Sequence, residues 1–245
     1  MEKGKKETSQ RDPVVCVEHL SHRYNVQWAI RDINFEIRSH GSYCLRGSNG
    51  AGKSTTMKIM CGVLKQTEGR VCIRGIDMRE DPVAAKKLIG FLPQRPPLHP
   101  DLTVEEYLKH CAKMRLMDSN KIKGALGQVM ERCKITHFKK RVIKNLSGGY
   151  QQRVGIAQAI IHEPEFVVLD EPTNGLDPNQ IVEVRHLIKE IAEERTVILS
   201  THILSEVQVM CDHIRMIEQG KVVFAGTVED FDNYIIPNSL LVTLV

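Results

Sequence analysis

Residues 47–54 have the sequence GSNGAGKS, which matches the pattern of a phosphate-binding loop, GxxxxGK followed by Ser or Thr. Glycines let successive backbone N–H groups turn toward one point, and with a helix N-terminus behind them they bind an anion. Lys53 can reach the β- and γ-phosphates of a nucleotide, and the Ser54 hydroxyl can bind Mg²⁺. A short β-like run at 41–46 and a helical pattern from Ser54 onward provide the strand and helix that this motif needs on either side.

The rest of the chain predicts an α/β domain that is interrupted by a helical block. Ile33, Phe35 and Ile37 alternate with polar residues as in a half-buried strand, and 166–169 is a continuous apolar run, typical of a buried parallel strand. Between about 98 and 162 helical patterns dominate, and Thr103 with Glu106 forms a capping box. We therefore expect a flexible leader at 1–13, a domain at 14–231 with its helical part at about 98–162, and a short tail at 232–245 in which 239–245 favours a strand.

The composition of the chain argues against several classes of function. The chain has 245 residues, 42% hydrophobic and 26% charged, as in an ordinary soluble protein with one substantial domain or two small ones. A net charge of +4 is too small to indicate nucleic-acid binding. Seven cysteines, an odd number with no CxxC spacing, favour neither disulfides nor zinc and indicate a reducing cytosol. Since no apolar stretch is long enough to span a bilayer, any membrane function is expected to run through a partner.

Residues 166–171, FVVLDE, place two carboxylates at the end of an apolar strand. An aspartate in this position can hold Mg²⁺ through its water shell, and the next carboxylate can polarise an attacking water. Such a pair is common on its own. Together with the phosphate-binding loop, Asp170 and Glu171 predict nucleotide hydrolysis.

Residues 146–153, LSGGYQQR, resemble the signature of the ATP-binding cassette (ABC) ATPases. Further pieces follow in the order of that family, over about residues 14–231: Tyr24, Gln94 in GFLPQ, Asp177 in NGLD and His202 in LSTH. Each piece also has an ordinary structural interpretation: a core or surface aromatic, a loop residue, a helix cap and a core histidine, respectively. The turn before Tyr150 is likewise compatible with a simple Ser-capped helix.

The resemblance implies a P-loop NTPase fold with a RecA-like core, an antiparallel β subdomain and an inserted helical subdomain. It implies ATP and Mg²⁺ as cofactors, with Glu171 as the catalytic base and His202 contacting the γ-phosphate and holding water and base in line. Tyr24 would stack on adenine. Ser54, Gln94 and Asp170 would bind the Mg²⁺ directly or through water. The residues implied to contact ATP are Tyr24, Gly47, Ser48, Asn49, Gly50, Ala51, Gly52, Lys53, Ser54, Thr55, Gln94, Ser147, Gly148, Gly149 and Asp177.

The resemblance also implies partners. Ser147 and Gly149 would close on the γ-phosphate of ATP bound to a second ABC subunit, expected to be an identical chain, and Asp177 would link the two sites. Transmembrane permease subunits would hold the dimer at the cytoplasmic face of a membrane, and the motifs around Asp177 and His202 look like those of ABC-2-type exporters. Two alternatives are a non-transport ABC ATPase acting as a regulatory or nucleic-acid-associated switch, and a nucleotide sensor without turnover.

Overall fold

The computed structural model describes residues 12–234. The leader predicted at 1–13 lies almost wholly outside the described residues, as does the strand predicted at 239–245. The strands in chain order are β1 (Val15–Tyr24), β2 (Gln27–Ile37), β3 (Gly41–Arg46), β4 (Glu68–Ile73), β5 (Ile76–Asp77), β6 (Ile89–Leu92), β7 (Phe166–Asp170), β8 (Thr196–Ser200), β9 (His213–Glu218) and β10 (Lys221–Thr227). The helices are α1 (Lys53–Met60), α2 (Pro82–Lys87), α3 (Val104–Met114), α4 (Ser119–Arg132), α5 (Gly148–Ile160), α6 (Pro178–Glu194), α7 (Leu204–Met210) and α8 (Val228–Tyr234).

The strands form two sheets. One is antiparallel with the order β2-β1-β4-β5, and the other has the order β10-β9-β3-β8-β7-β6. In the larger sheet every neighbouring pair is parallel except β9 and β10. These two form the hairpin that the runs at 213–217 and 222–225, joined through Gln219 and Gly220, predict. The strands β7 and β8 are buried along their whole length, as expected for parallel strands covered on both faces. The α/β prediction and the antiparallel sheet are thus confirmed.

The pleat of the larger sheet separates two hydrophobic clusters. Val167 and Leu169 point into a cluster shared with the helices α3 to α6, whereas Phe166 and Val168 point into one shared with α1 and the antiparallel sheet. Helix α1 follows the phosphate-binding loop and buries Met57 within the second cluster. The loop is therefore held between the two sheets.

Residues 98–162 contain α3, α4, α5 and two short 3-10 turns. The capping box is confirmed, because Glu106 N–H donates to Thr103 Oγ1 and the Glu106 carboxylate accepts from Thr103 N–H. The first helix begins at Val104, directly after this cap, and the segment at 98–103 ahead of it is a loop. At the other end of the domain, α8 passes through position 231 and reaches Tyr234.

Two further observations concern the whole described chain. None of the helices between residues 12 and 234 is both long and apolar enough to cross a membrane. All seven cysteines are free, and only Cys111 is not fully buried.

Candidate ATP-binding and catalytic site

The phosphate-binding loop has the geometry that its glycines predict. Gly52 has a φ of 108° and caps α1, and a Cβ at this position would lie 2.4 Å from Ile30 Cγ2. Lys53 is 7% exposed, and its ammonium donates to the carbonyl oxygens of Gly47 and Ser48 at 2.8 and 3.0 Å. A positive charge therefore lies against the loop backbone at the N-terminus of α1, which suits a phosphate.

The turn between β9 and β10 supports this loop from the outside. Gly220 N–H donates to Ala51 O at 3.0 Å, and Gly220 O accepts from Arg31 N–H at 2.8 Å. The Ser48 hydroxyl donates to the carboxylate of Glu218 at 3.1 Å. The loop is thus tied to both sheets, and its conformation depends on residues far away in the sequence.

The parallel strands β7 and β8 end side by side beneath the loop, with Asp170 paired to Ser200. Asp170 is 3% exposed, and its Oδ1 accepts hydrogen bonds from Ser200 Oγ at 2.6 Å and from Ser54 Oγ at 3.3 Å. A hydroxyl and a carboxylate converge here, and hard oxygen ligands of this kind suit Mg²⁺. No cluster of three or more His, Cys, Asp or Glu able to hold a metal occurs within residues 12–234.

Glu171 follows Asp170 with a φ of 49°, a conformation that is uncommon outside glycine and that concentrates at functional sites. Its Oε2 accepts from Gln94 Nε2 at 2.9 Å and from Asn174 Nδ2 at 3.0 Å, and its N–H donates to Ser200 Oγ. His202 Nδ1 lies 3.5 Å from Oε1 of the same carboxylate. The carboxylate is therefore fixed on one oxygen and faces an imidazole on the other.

His202 is 55% exposed at its side chain, so its interpretation as a core histidine was wrong. Tyr24, at the end of β1, is half exposed, and its ring meets His22 edge-on with centroids 4.6 Å apart. Tyr24 is thus a surface aromatic. Neither the Tyr24 ring nor the His202 ring is enclosed by the core.

The Ser147–Gly149 turn stands apart from the groups described so far. Ser147 is the N-cap residue of α5, yet its hydroxyl makes no capping hydrogen bond. A Cβ at Gly149 would lie 2.6 Å from Gln180 Oε1, so this glycine lets α5 approach α6 closely, whereas the space around Gly148 is open. Asp177 caps α6 by accepting from Gln180 N–H at 3.0 Å, which confirms its interpretation as a cap. Throughout residues 12–234, no hydrogen bond joins this turn to the phosphate-binding loop.

Comparisons with known proteins point to the same family as this site, which consists of the phosphate-binding loop, the two carboxylates and the turn at the head of α5. A family model described as ABC transporter matches residues 30–174, which is more than half of the chain. The chain belongs to the ABC transporter family. It is the ATP-binding component, an ATPase whose hydrolysis of ATP powers transport.

Curated relatives extend this likeness along nearly the whole cassette. The bacitracin transport ATP-binding protein BcrA of Bacillus licheniformis is 36% identical over 211 residues, 85% of this chain and 68% of that protein. The lantibiotic transport ATP-binding protein SrtF of Streptococcus pyogenes is 34% identical over 218 residues, 89% and 92% of the two chains. Among solved structures, a part of the ABC transporter complex CbiONQ from Clostridium perfringens superposes with a TM-score of 0.81 at 29% identity, covering 91% of each chain.

Three residues of this ABC site had no role in the sequence interpretation. Ser200 joins Asp170 to the backbone of Glu171, Asn174 fixes the Glu171 carboxylate, and Glu218 binds the phosphate-binding loop. The first two lie within the quoted LSTH and NGLD motifs. The pairing of β7 with β8 reveals what Ser200 contacts, and Asn174 reaches Glu171 across a local turn. Glu218 carries no signal in the sequence.

Proposed function

We propose that this ATPase works as a dimer that drives export through separate transmembrane subunits, with Glu171 as the general base. The observation that carries the proposal is the Glu171 carboxylate, which is held by Gln94 and Asn174 at one oxygen and faces His202 at the other. A base must be fixed within hydrogen-bond reach of the water from which it takes a proton. An amide clamp on Oε2 supports that role, because it leaves Oε1 to the water.

Each part of the site then has a task in hydrolysis. The loop N–H groups and Lys53 bind the phosphates, and Tyr24 offers an exposed ring face to the adenine. Glu171 removes a proton from water while the water oxygen attacks the γ-phosphorus, and the bond to the β-phosphate oxygen breaks. His202 orients the water and contacts the γ-phosphate. These tasks require positioning and charge stabilisation more than covalent chemistry.

Ser54, Gln94 and Asp170 are the residues that would hold Mg²⁺, directly or through water. The 3.3 Å hydrogen bond between Ser54 Oγ and Asp170 Oδ1 supports this, since it joins two hard oxygen ligands at one point. When bound, the ion neutralises charge on the β- and γ-phosphates.

A second subunit is proposed because the Ser147–Gly149 turn has hydrogen-bond donors but makes no hydrogen bond with the phosphate-binding loop of its own chain within residues 12–234. The Ser147 hydroxyl makes no capping bond, and α5 presents its N-terminus, which favours negative charge. Closing this turn on ATP held by an identical chain gives a two-fold arrangement with two complete sites. Asp177, at the start of α6 next to this turn, would link the two sites.

Export is proposed from the relatives, which include proteins named for bacitracin transport, lantibiotic transport and linearmycin resistance. Bacitracin and a lantibiotic are the transported compounds that two of these names state. We propose a cargo of this general class, carried by transmembrane subunits that bind the cassette at the cytoplasmic face of the membrane.

Replacing Glu171 with Gln tests the assignment of the base. The variant is expected to bind ATP while its hydrolysis rate falls at least about 100-fold, roughly 3 kcal/mol of barrier. Glu163→Gln is the matched control, because Glu163 is an exposed glutamate with a similar φ of 57°. If Glu171→Gln hydrolyses ATP as fast as the Glu163→Gln control, Glu171 is not the base.

A further inference from the structure

Glu206 is a buried acid that the proposed mechanism does not use. It lies in the first turn of α7 and is 1% exposed. Its Oε2 accepts hydrogen bonds from Thr201 Oγ1 at 2.6 Å and from Thr173 Oγ1 at 3.0 Å. Its Oε1 lies 3.3 Å from Arg185 Nη2. A buried carboxylate is tolerated only with such partners, so this arrangement is specific to an acid.

The two threonines belong to the segments that carry the proposed catalytic pair. Thr173 follows Glu171 by two residues, and Thr201 directly precedes His202. Both hydroxyls converge on one oxygen atom, so the carboxylate fixes the distance between the segment after β7 and the segment after β8. Thr201 Oγ1 also accepts from Ile203 N–H at 3.1 Å, which ties the start of α7 to the same point.

Gln94 and Asn174 hold the Glu171 carboxylate, but the backbone segments that carry Glu171 and His202 need support of their own. His202 is half exposed, and Glu171 has left-handed backbone geometry. A residue in a sparsely populated conformation persists only when its surroundings hold it there. Arg185 adds a third element, since it extends from α6 and supplies the positive charge opposite Glu206.

We propose that Glu206 is a positioning residue, which holds the segments of Glu171 and His202 at the spacing required for hydrolysis. The proposal rests on the function proposed above for those two residues. Glu206 acts through Thr173 and Thr201 and does not touch the nucleotide. Its loss is therefore expected to slow the chemical step and to leave ATP binding by the Lys53 loop intact.

The test compares ATP hydrolysis and ATP binding in purified full-length variants. Thr173→Val keeps the shape of Thr173 and removes its hydroxyl, whereas Thr173→Ser keeps the hydroxyl and is the matched control. Glu206→Met removes the acceptor for both threonines. Displacement of catalytic groups by about 1 Å can cost about 100-fold in rate. We expect kcat to fall about 10-fold in Thr173→Val and about 100-fold in Glu206→Met, with KM for ATP changed less than about twofold.

Thr173→Ser is expected to keep kcat within about twofold of wild type, which a loss of packing alone would not explain. Adding Glu206→Met to Glu171→Gln should give no further loss of rate, because residues that act as a unit are not additive. If Glu206→Met does not fold, the comparison of Thr173→Val with Thr173→Ser tests the positioning role by itself. Wild-type kcat in Thr173→Val, or equal losses in kcat and ATP affinity in either variant, overturns the positioning role. Wild-type hydrolysis by Glu171→Gln instead overturns the proposed base.

Discussion

The Ser54 hydroxyl donates a hydrogen bond to Asp170 Oδ1 at 3.3 Å, although the two residues are 116 positions apart in the chain. The contact joins the start of α1 to the end of β7. Ligands of open α/β sheets bind at the carboxyl ends of parallel strands, and this contact lies at that edge. It is therefore the point at which the phosphate-binding loop and the catalytic strand meet.

Asp170→Asn tests whether this point holds Mg²⁺. The amide keeps the shape of the side chain and loses the charge that a divalent cation needs. We expect the affinity for ATP in excess Mg²⁺ to fall at least about tenfold, roughly 1.4 kcal/mol, while the affinity in EDTA changes less than about twofold. Calorimetric titration measures both. Asp101→Asn, which removes an exposed acid paired with Lys144, is the control. Equal losses of ATP affinity with and without Mg²⁺ would show that Asp170 stabilises the fold and does not bind the metal.

Local sequence patterns were sufficient to predict much of the fold. The glycine-rich loop, the apolar run of β7 and the β9–β10 hairpin are each determined by residues close together in the chain, and the structure has all three. Pro96, Pro97 and Pro100 account for the loop at 98–103 ahead of α3, because proline lacks an N–H donor and restricts the preceding residue to extended conformations. Leu98 and Leu102 still pack against the core, but from a loop.

The contacts within the site could not be predicted in the same way. Ser200 reaches Asp170 only because β7 and β8 are neighbours in register, and a run of apolar residues does not specify its neighbour. The contact between Glu218 and Ser48 likewise requires β9 to pair with β3 in register. Such pairings arise from the topology of the sheet, which no single segment encodes.

Stability is expected to fall in acid because of His162. Burial, with a smaller contribution from Arg115, lowers the pKa of His162 from its ordinary value of 6.5 to about 4. A histidine whose pKa is lowered by folding stays neutral in the folded protein, while the unfolded chain takes up a proton. The stabilisation that neutral His162 gives the folded state is therefore fully present above about pH 6.5. It is lost as the pH falls toward 4, which lowers the free energy of unfolding by about 3 kcal/mol.

The check is denaturant unfolding at pH 7, 6 and 5 without nucleotide. His162 Nε2 lies 2.9 Å from Ile89 O, and in His162→Gln the amide can donate to the same carbonyl without titrating. This variant should lose less stability than wild type between pH 7 and 5. The exposed His40→Gln control should follow wild type. If all three proteins have the same pH dependence, His162 is not the cause.

The loop between Gln94 and α3 is expected to contact the transmembrane partner. Leu98 and Leu102 are half-buried against the core, so a crosslinking cysteine belongs at the exposed His99. His99→Cys should crosslink to a transmembrane subunit in membranes that contain the assembled transporter. Val223→Cys, which is 50% exposed on β10, is the control. Crosslinks from Val223→Cys alone would place the contact on the hairpin instead.

A mixture of two inactive variants tests the proposed dimer. Lys53→Ala damages the phosphate-binding loop of its own subunit, and Ser147→Arg damages the turn that a subunit lends to its neighbour. In a mixed dimer one site carries both defects and the other is intact, because each site combines the loop of one chain with the turn of the other. At equal amounts about half of the dimers are mixed, so about a quarter of wild-type activity should return. ATP should also shift Glu171→Gln from monomer to dimer in sedimentation, since a ligand shared between subunits stabilises their association. A verified mixture as inactive as each variant alone, together with an unchanged sedimentation coefficient, would exclude sites shared between two subunits.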